Sequence, residues 1–356
     1  MANTRVHVIG AGLAGLSAGI HAQLHGCDVT IFEHGRHAGG VVASWKRQGF
    51  VLDGGAHYYM GLAPGSATRR LYEDLGVGDP DRYRTMELYA AFLDPGTGRR
   101  LDLTRDLDRF VADVAAISPA DAARVADLVR GGKAFARMDL ATSIPPPPEL
   151  ASWRSRLGWL LSMLPSLRYW RGPWLRPMSE FAAGMENPWL AEVLTHLFLP
   201  SSPACFVCML LGSLSSGNMA LRTDGSAGFV ADLERRFRDL GGNIVFGATV
   251  ERIVMRQGKA VAIQLADGSE HPCDAVVAAG DGHETLFTLL RDAAIPGALR
   301  HTHEAWSLCD PACLLGFGVR GDFSNEPWLS LFRPRTAVTA GFTCDHGQSS
   351  YATHES

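Results

Sequence analysis

Hydrophobic and polar positions in the first thirty-three residues change period twice. Residues 6–9 form a short apolar run, residues 13–24 an amphipathic helical stretch, and residues 29–32 a second apolar run ending in Glu33. This predicts strand, helix, strand, with a glycine-rich turn between the first two. A second block begins nearly two hundred residues later. Residues 231–239 carry Leu233 and Phe237 on one helical face, continued by Leu240, and Gly241-Gly242 stops the helix. A strand over 243–246 comes next, then one over 248–254. An alternating run over 260–265 leads to Asp267-Gly268, a hairpin-turn signal, and a return strand over 274–280 ends in Ala279 and Gly280. Strands alternating with helices predict an α/β fold.

Between the blocks the pattern has another character. Residues 85–103 alternate like two strands around a turn at Asp94 to Gly98. Ser118-Pro119 starts a helix, with a capping serine and proline at its first position, and the amphipathic stretch runs to about Met138. Residues 144–148 form a proline-rich spacer. Residues 312–319 read as a strand returning to the insertion's sheet. The expected organisation is therefore discontinuous. Residues 1–70 and 222–290 form one domain, 71–221 and 291–335 a second α+β domain, and 336–356 an irregular tail.

The glycine-rich turn carries the first chemistry. Gly10 permits a tight strand-to-helix turn, Gly12 lets backbone approach a pyrophosphate, and Gly15 lets the helix pack on the sheet. Leu13 and Ala14 open the helix, whose N-terminal N–H groups and positive dipole end suit phosphate. Glu33 arrives about 20 residues on, where an acid accepts ribose hydroxyls. Strand, turn, helix and acid together predict an adenine-dinucleotide site.

The stretch after Glu33 narrows the dinucleotide. Arg36, the pair Gly39-Gly40, and the turn Asp53-Gly54-Gly55-Ala56-His57 resemble the flavin-dependent phytoene desaturase and amine oxidase superfamily. There the glycine pair lies against the pyrophosphate and ribityl chain, and the Asp-x-Gly turn sits close to the flavin ring. The amine oxidases often place arginine after the glycine pair; Val41 stands here, which favours the desaturase branch. The later block is similar to that branch's central cofactor segment, with glycine-rich entry, helix, paired glycines, strand and hairpin. The resemblance implies FAD, a Rossmann-like FAD-binding domain with an inserted substrate domain, and cofactor contact by Val250 and by Ala279-Gly280. It also implies hydride exchange with an apolar polyene or isoprenoid substrate. His57 is the one polar residue placed near the ring, as a proton relay. The family's closing Gly-Asp segment has no counterpart: the resemblance fades near Arg333 and residues 343–356 are polar without strand period. The expectation is weak flavin retention. Two other functions stand beside this one. A flavin amine oxidase places a lysine beyond the central block, and the last lysine here is Lys259. A non-catalytic remnant would bind a membrane or partner without turnover.

Global properties exclude more than they specify. The 356-residue chain is long for one core. Its net charge of −4 and pI near 6.3 speak against a nucleic-acid partner. No apolar run reaches about 18 residues, and the chain enters its first strand at once, so a cytoplasmic location with reduced cysteines is expected. Cys205 and Cys208 with Cys309 and Cys313 could be imagined as zinc ligands, as could His301 and His303. The apolar setting of the first pair reads as core instead, so no metal is expected.

Residues 151–179 stand apart. They hold Arg154, Arg156, Arg168, Arg171 and Arg176, no acid, four of the eight tryptophans, and leucines 157, 160, 161, 164 and 167. That composition predicts peripheral membrane contact; a lid helix over the substrate cavity with solvated arginines is compatible with it.

Overall fold

The run at residues 6–9 becomes the central strand Arg5–Ile9, buried through Val6, His7 and Val8 as a strand flanked on both sides must be. The computed structural model describes residues 3–56, 58–94, 96–136, 138, 149, 151–291, 295–306, 329–332 and 342–345. His57, the proline spacer at 144–148, Cys309, Cys313, the expected strand at 312–319 and Arg333 lie outside them. The chain divides into two compact units. One comprises Met1–His57, Tyr72–Asp79 and Asp224–Val319, the other Tyr58–Leu71, Pro80–Thr223 and Arg320–Ser356.

In the first unit four parallel strands form one sheet, in the order Asn243–Phe246, Asp28–Glu33, Arg5–Ile9, Ala275–Ala278. The α/β, Rossmann-like reading holds: helix Leu13–Leu24 crosses from the first strand to the second, and all four carboxyl ends lie at one edge. The second helix is longer than its sequence pattern, running Gly225–Asp239 rather than starting at 231, because its glycine-rich entry is already helical. A three-stranded antiparallel sheet comes after it, Val250–Arg256, Lys259–Leu265 and Glu270–Pro272. Its second turn is closed at Gly268, whose N–H donates to the Leu265 carbonyl at 2.9 Å. Phe32, Ala248 and Ile263 join the two sheets in a small core with Val250 packed against it.

The second unit is mixed α+β. Strands Leu88–Asp94 and Arg99–Thr104 pair across the expected turn, where Asp94 accepts from the Gly96 N–H at 2.9 Å. Leu329–Phe332 adds to this sheet in parallel and Phe342–Asp345 adds beyond it. The latter is a correction: a strand lies within the stretch read as an irregular polar tail. Its phenylalanine–threonine–cysteine–aspartate alternation is too short to register, and a sheet edge supplies the pairing. Helix Pro119–Phe135 begins where Ser118-Pro119 places it, although the Ser118 hydroxyl caps no backbone N–H. It packs with Leu107–Ile117 and Ala204–Ser215 around Phe110, Leu128, Val207 and Leu211.

Candidate dinucleotide site

The first strand turns at Gly10, which takes φ +98° and donates its N–H to the Phe32 carbonyl at 2.8 Å. Helix Leu13–Leu24 then starts from Gly12 with no capping side chain and no acid in its first turn. Such an end offers backbone donors and a positive dipole to an anion. Two glycines of the motif are glycine for different reasons. A Cβ on Gly15 would strike the Gly10 carbonyl, so the fold itself forbids a side chain there. A Cβ on Gly12 would meet only the Gly40 Cα, at 3.8 Å. Packing within the protein does not require Gly12 to be bare.

Glu33 ends the second strand. Its Oε2 accepts from the Ala11 N–H at 2.6 Å and its Oε1 from the Gly35 N–H at 2.7 Å. The acid therefore fastens the glycine turn to the loop after its own strand, a role its spacing alone does not show. Each carboxylate oxygen keeps a second lone pair for a ribose hydroxyl. From this corner the Gly35 carbonyl accepts from Gly247 and the Glu33 carbonyl from Ala248, both at 2.9 Å. These bonds bring the approach to Val250 against the same edge of the sheet.

The glycine pair arrives from the other side. Gly39, at φ +123°, donates to the Ala11 carbonyl at 2.9 Å and bridges Gly12. Ala279 donates to the Ile9 carbonyl at 3.0 Å, which sets Ala279 and Gly280 beside Gly10. Leu13 is half-buried, and Ala14 and Arg36 are exposed. Gly55 packs so closely on the Val41 carbonyl and Val42 that a Cβ would collide, and Gly54 donates to the Ala43 carbonyl at 3.1 Å. Around Gly10 and Gly12 the structure thus gathers Glu33, Gly39, Gly40, Ala279 and Gly280. Gly55 and Ala56 connect to them through the 41–43 loop. Val250 is half-buried in the apolar cluster behind the corner.

Two residues take roles the sequence did not give them. Asp53 accepts the Ser226 N–H at 3.0 Å and the Ser44 hydroxyl, and Ser226, wholly buried, donates its own hydroxyl to the Ala56 carbonyl at 3.2 Å. No spacing rule links positions 173 residues apart.

Among the described residues no group of three histidine, cysteine or acidic side chains is arranged to hold a metal ion. Cys205 and Cys208 are buried on one helix of the second unit, and burial pushes both thiols up. The arginine- and tryptophan-rich segment forms helix Trp153–Met163, capped by Ser152, then 3-10 turns over Leu164–Trp170 and Gly172–Leu175. Trp153 is 69% exposed, Leu160 50%, Leu161 55% and Leu164 54%. Trp174 and Tyr169 are buried, and Arg168 pairs with Asp127 at 3.1 Å. Among the described residues no helix is long and apolar enough to cross a membrane.

Comparison with known proteins fits this architecture. Residues 8–75 match the family model of the NAD(P)-binding Rossmann-like domain. The chain is 28% identical over 305 residues to a hydroxyneurosporene desaturase of Rhodobacter capsulatus, covering 82% of this chain and 59% of that one. It is 24% identical over 339 residues to a lycopene-forming phytoene desaturase of Pseudescherichia vulneris, covering 91% and 64%. The chain thus spans less than two thirds of the length of these relatives. A solved oxidoreductase structure from Methanosarcina mazei shares the fold, with TM-score 0.54, 20% identity, and coverage of 84% of this chain and 64% of that one.

Proposed function

We propose that this chain, a homologue of the carotenoid desaturases carrying a Rossmann-like domain, is an FAD-dependent oxidoreductase that exchanges hydride with an apolar polyene or isoprenoid. The observation that carries the reading is the open backbone at Gly12, which the protein's own packing does not fill. A pyrophosphate would fill it, held by the helix end at Leu13 and Ala14 and by the facing Gly39 and Gly40. In the same reading Glu33 holds the ribose, Val250 the adenine side, Ala279 and Gly280 the crevice floor, and Arg36 its rim. Gly55 and Ala56 face the ring, and His57 is assigned the proton relay on the family resemblance alone. When bound, FAD supplies the hydride chemistry; the chain orients it and keeps water from it.

A second surface belongs to the proposal. The exposed leucines and Trp153 on helix Trp153–Met163, with Arg154 on the same helix and the exposed Arg171 in the segment after it, fit peripheral contact with an anionic bilayer, the reservoir of such a substrate.

The test is titration of the full chain with FAD, following flavin fluorescence and the visible band. Saturable quenching is expected, and Gly12→Val should lower affinity at least tenfold while the melting temperature falls by only about 2–4 °C, the loss of the N-cap. Absence of saturable binding by the parent chain, or an unchanged affinity in Gly12→Val, would overturn the flavin assignment.

A further inference from the structure

The first unit contains a part-buried connection from the start of helix Gly225–Asp239 to the glycine loops. At one end Ser226 is fully buried, its N–H on Asp53 and its hydroxyl on the Ala56 carbonyl. Asp53, on strand Phe50–Asp53, thereby caps this helix from a distant part of the chain. A carboxylate at a helix N-terminus is stabilised by the free N–H groups and by the dipole. The Ser44 hydroxyl holds the other Asp53 oxygen. Beyond Asp53 the chain passes at once into Gly54 and Gly55, which lie on the Ala43 carbonyl and on Val41 and Val42. Residues 41 and 42 continue directly from Gly39 and Gly40, which face Gly12.

We infer that Ser226 and Asp53 are positioning residues: together they form a latch that fixes the turn 54–56 and, through it, the glycine pair opposite Gly12. Neither has to touch a ligand. Their effect on binding comes from geometry, since a loop free to shift must be ordered when the dinucleotide binds, and that ordering subtracts from affinity. The inference rests on the flavin reading for its ligand but not for its mechanics, and the two can be tested separately.

The experiment compares the full chain with Ser226→Ala and Asp53→Asn by three measurements. Backbone hydrogen exchange in the absence of FAD should speed up at least tenfold across residues 39–56 in Ser226→Ala and about threefold in Asp53→Asn, which loses the charge but keeps an acceptor for the Ser226 N–H, while the strand Arg5–Ile9 stays protected. FAD affinity should fall about tenfold, with a bound spectrum shifted toward that of free flavin. Melting temperature should change little in Asp53→Asn, which keeps the shape and one acceptor, so a folding defect in Ser226→Ala would leave the question decidable. Exchange at 39–56 unchanged in a folded variant would overturn the latch. So would accelerated exchange with undiminished FAD affinity. If the parent chain takes up no FAD, the flavin reading fails and the exchange measurement alone decides the latch.

Discussion

At Gly12 the chain leaves backbone open beside a half-buried Leu13, whereas along Trp153–Met163 it encloses backbone in a helix and exposes its leucines. In the proposed function the first arrangement offers oriented donors to an anionic ligand and the second offers apolar area to a bilayer. The contrast explains why both regions resist a purely structural explanation. Fold stability requires neither a bare Gly12 nor an exposed Leu161. Gly15 and Met163 are their opposites: each sits on the same element as its partner, yet is buried and held by packing.

The largest predicted effect separates the two glycines of the turn. Gly15→Val drives a side chain into the Gly10 carbonyl and should cost about 3 kcal/mol of stability, seen as a lower urea midpoint. The Gly12→Val change should cost no more than about 1 kcal/mol, the loss of a tolerable N-cap. Equal losses at both positions would erase the distinction between a glycine the fold needs and one a ligand needs.

The helix gives the next effect. Leu160→Ser with Leu161→Ser removes two half-exposed apolar side chains, so folding should be nearly indifferent. Partitioning onto anionic vesicles should fall about thirtyfold, equivalent to about 2 kcal/mol of lost apolar burial. Vesicle sedimentation measures it. Retained binding would leave the leucines as a lid surface only. The arginines sharpen the same point. Arg171→Ala should weaken binding about fivefold, from about 1 kcal/mol per cation near an anionic surface. Arg168→Ala should do less, because Arg168 already pairs with Asp127 and lies over the Tyr169 ring at 4.8 Å.

That difference between Arg168 and Arg171 also shows what was legible from sequence. The glycine turn, Glu33, the loop pair and the return strand depend on local backbone rules at fixed spacings, and the structure places them along one edge of the sheet. Missing from the sequence were the non-local pairings: Arg168 with Asp127, Asp53 with Ser226, and Glu33 with Ala11. Side chains that meet through the fold leave no period along the chain. Helix starts suffer similarly, since Gly225 lacks the apolar rhythm that identifies residues 231–239, and its entry is capped by a residue on another element.

The smallest effect tests the floor beneath the site. His7 lies in the central strand, 5% exposed, its ring edge-on to Phe32 at 5.0 Å, and Phe32 is in turn edge-on to His271 at 5.0 Å. Its Nδ1 is buried without a partner among the described residues. Burial first, then the nearby His271 and Arg5, hold the His7 pKa below its ordinary 6.5, against a weaker opposing pull from Asp28. The folded chain therefore binds a proton here less readily than the unfolded chain does. Stability from this group is complete above pH 6.5 and is lost as pH falls from 6.5 toward the depressed folded value. Asp94 and Asp267 are held below 3.8 by hydrogen bonds, chiefly from Thr97 and Ser269, so their losses begin only below about pH 4 and leave this window clear. Urea midpoints of the parent chain should thus decline between pH 6.5 and 5, and His7→Leu should flatten that decline while leaving the exposed helix's vesicle binding unchanged. An identical slope in parent and variant would mean that protonation of His7 meets no penalty in the folded sheet.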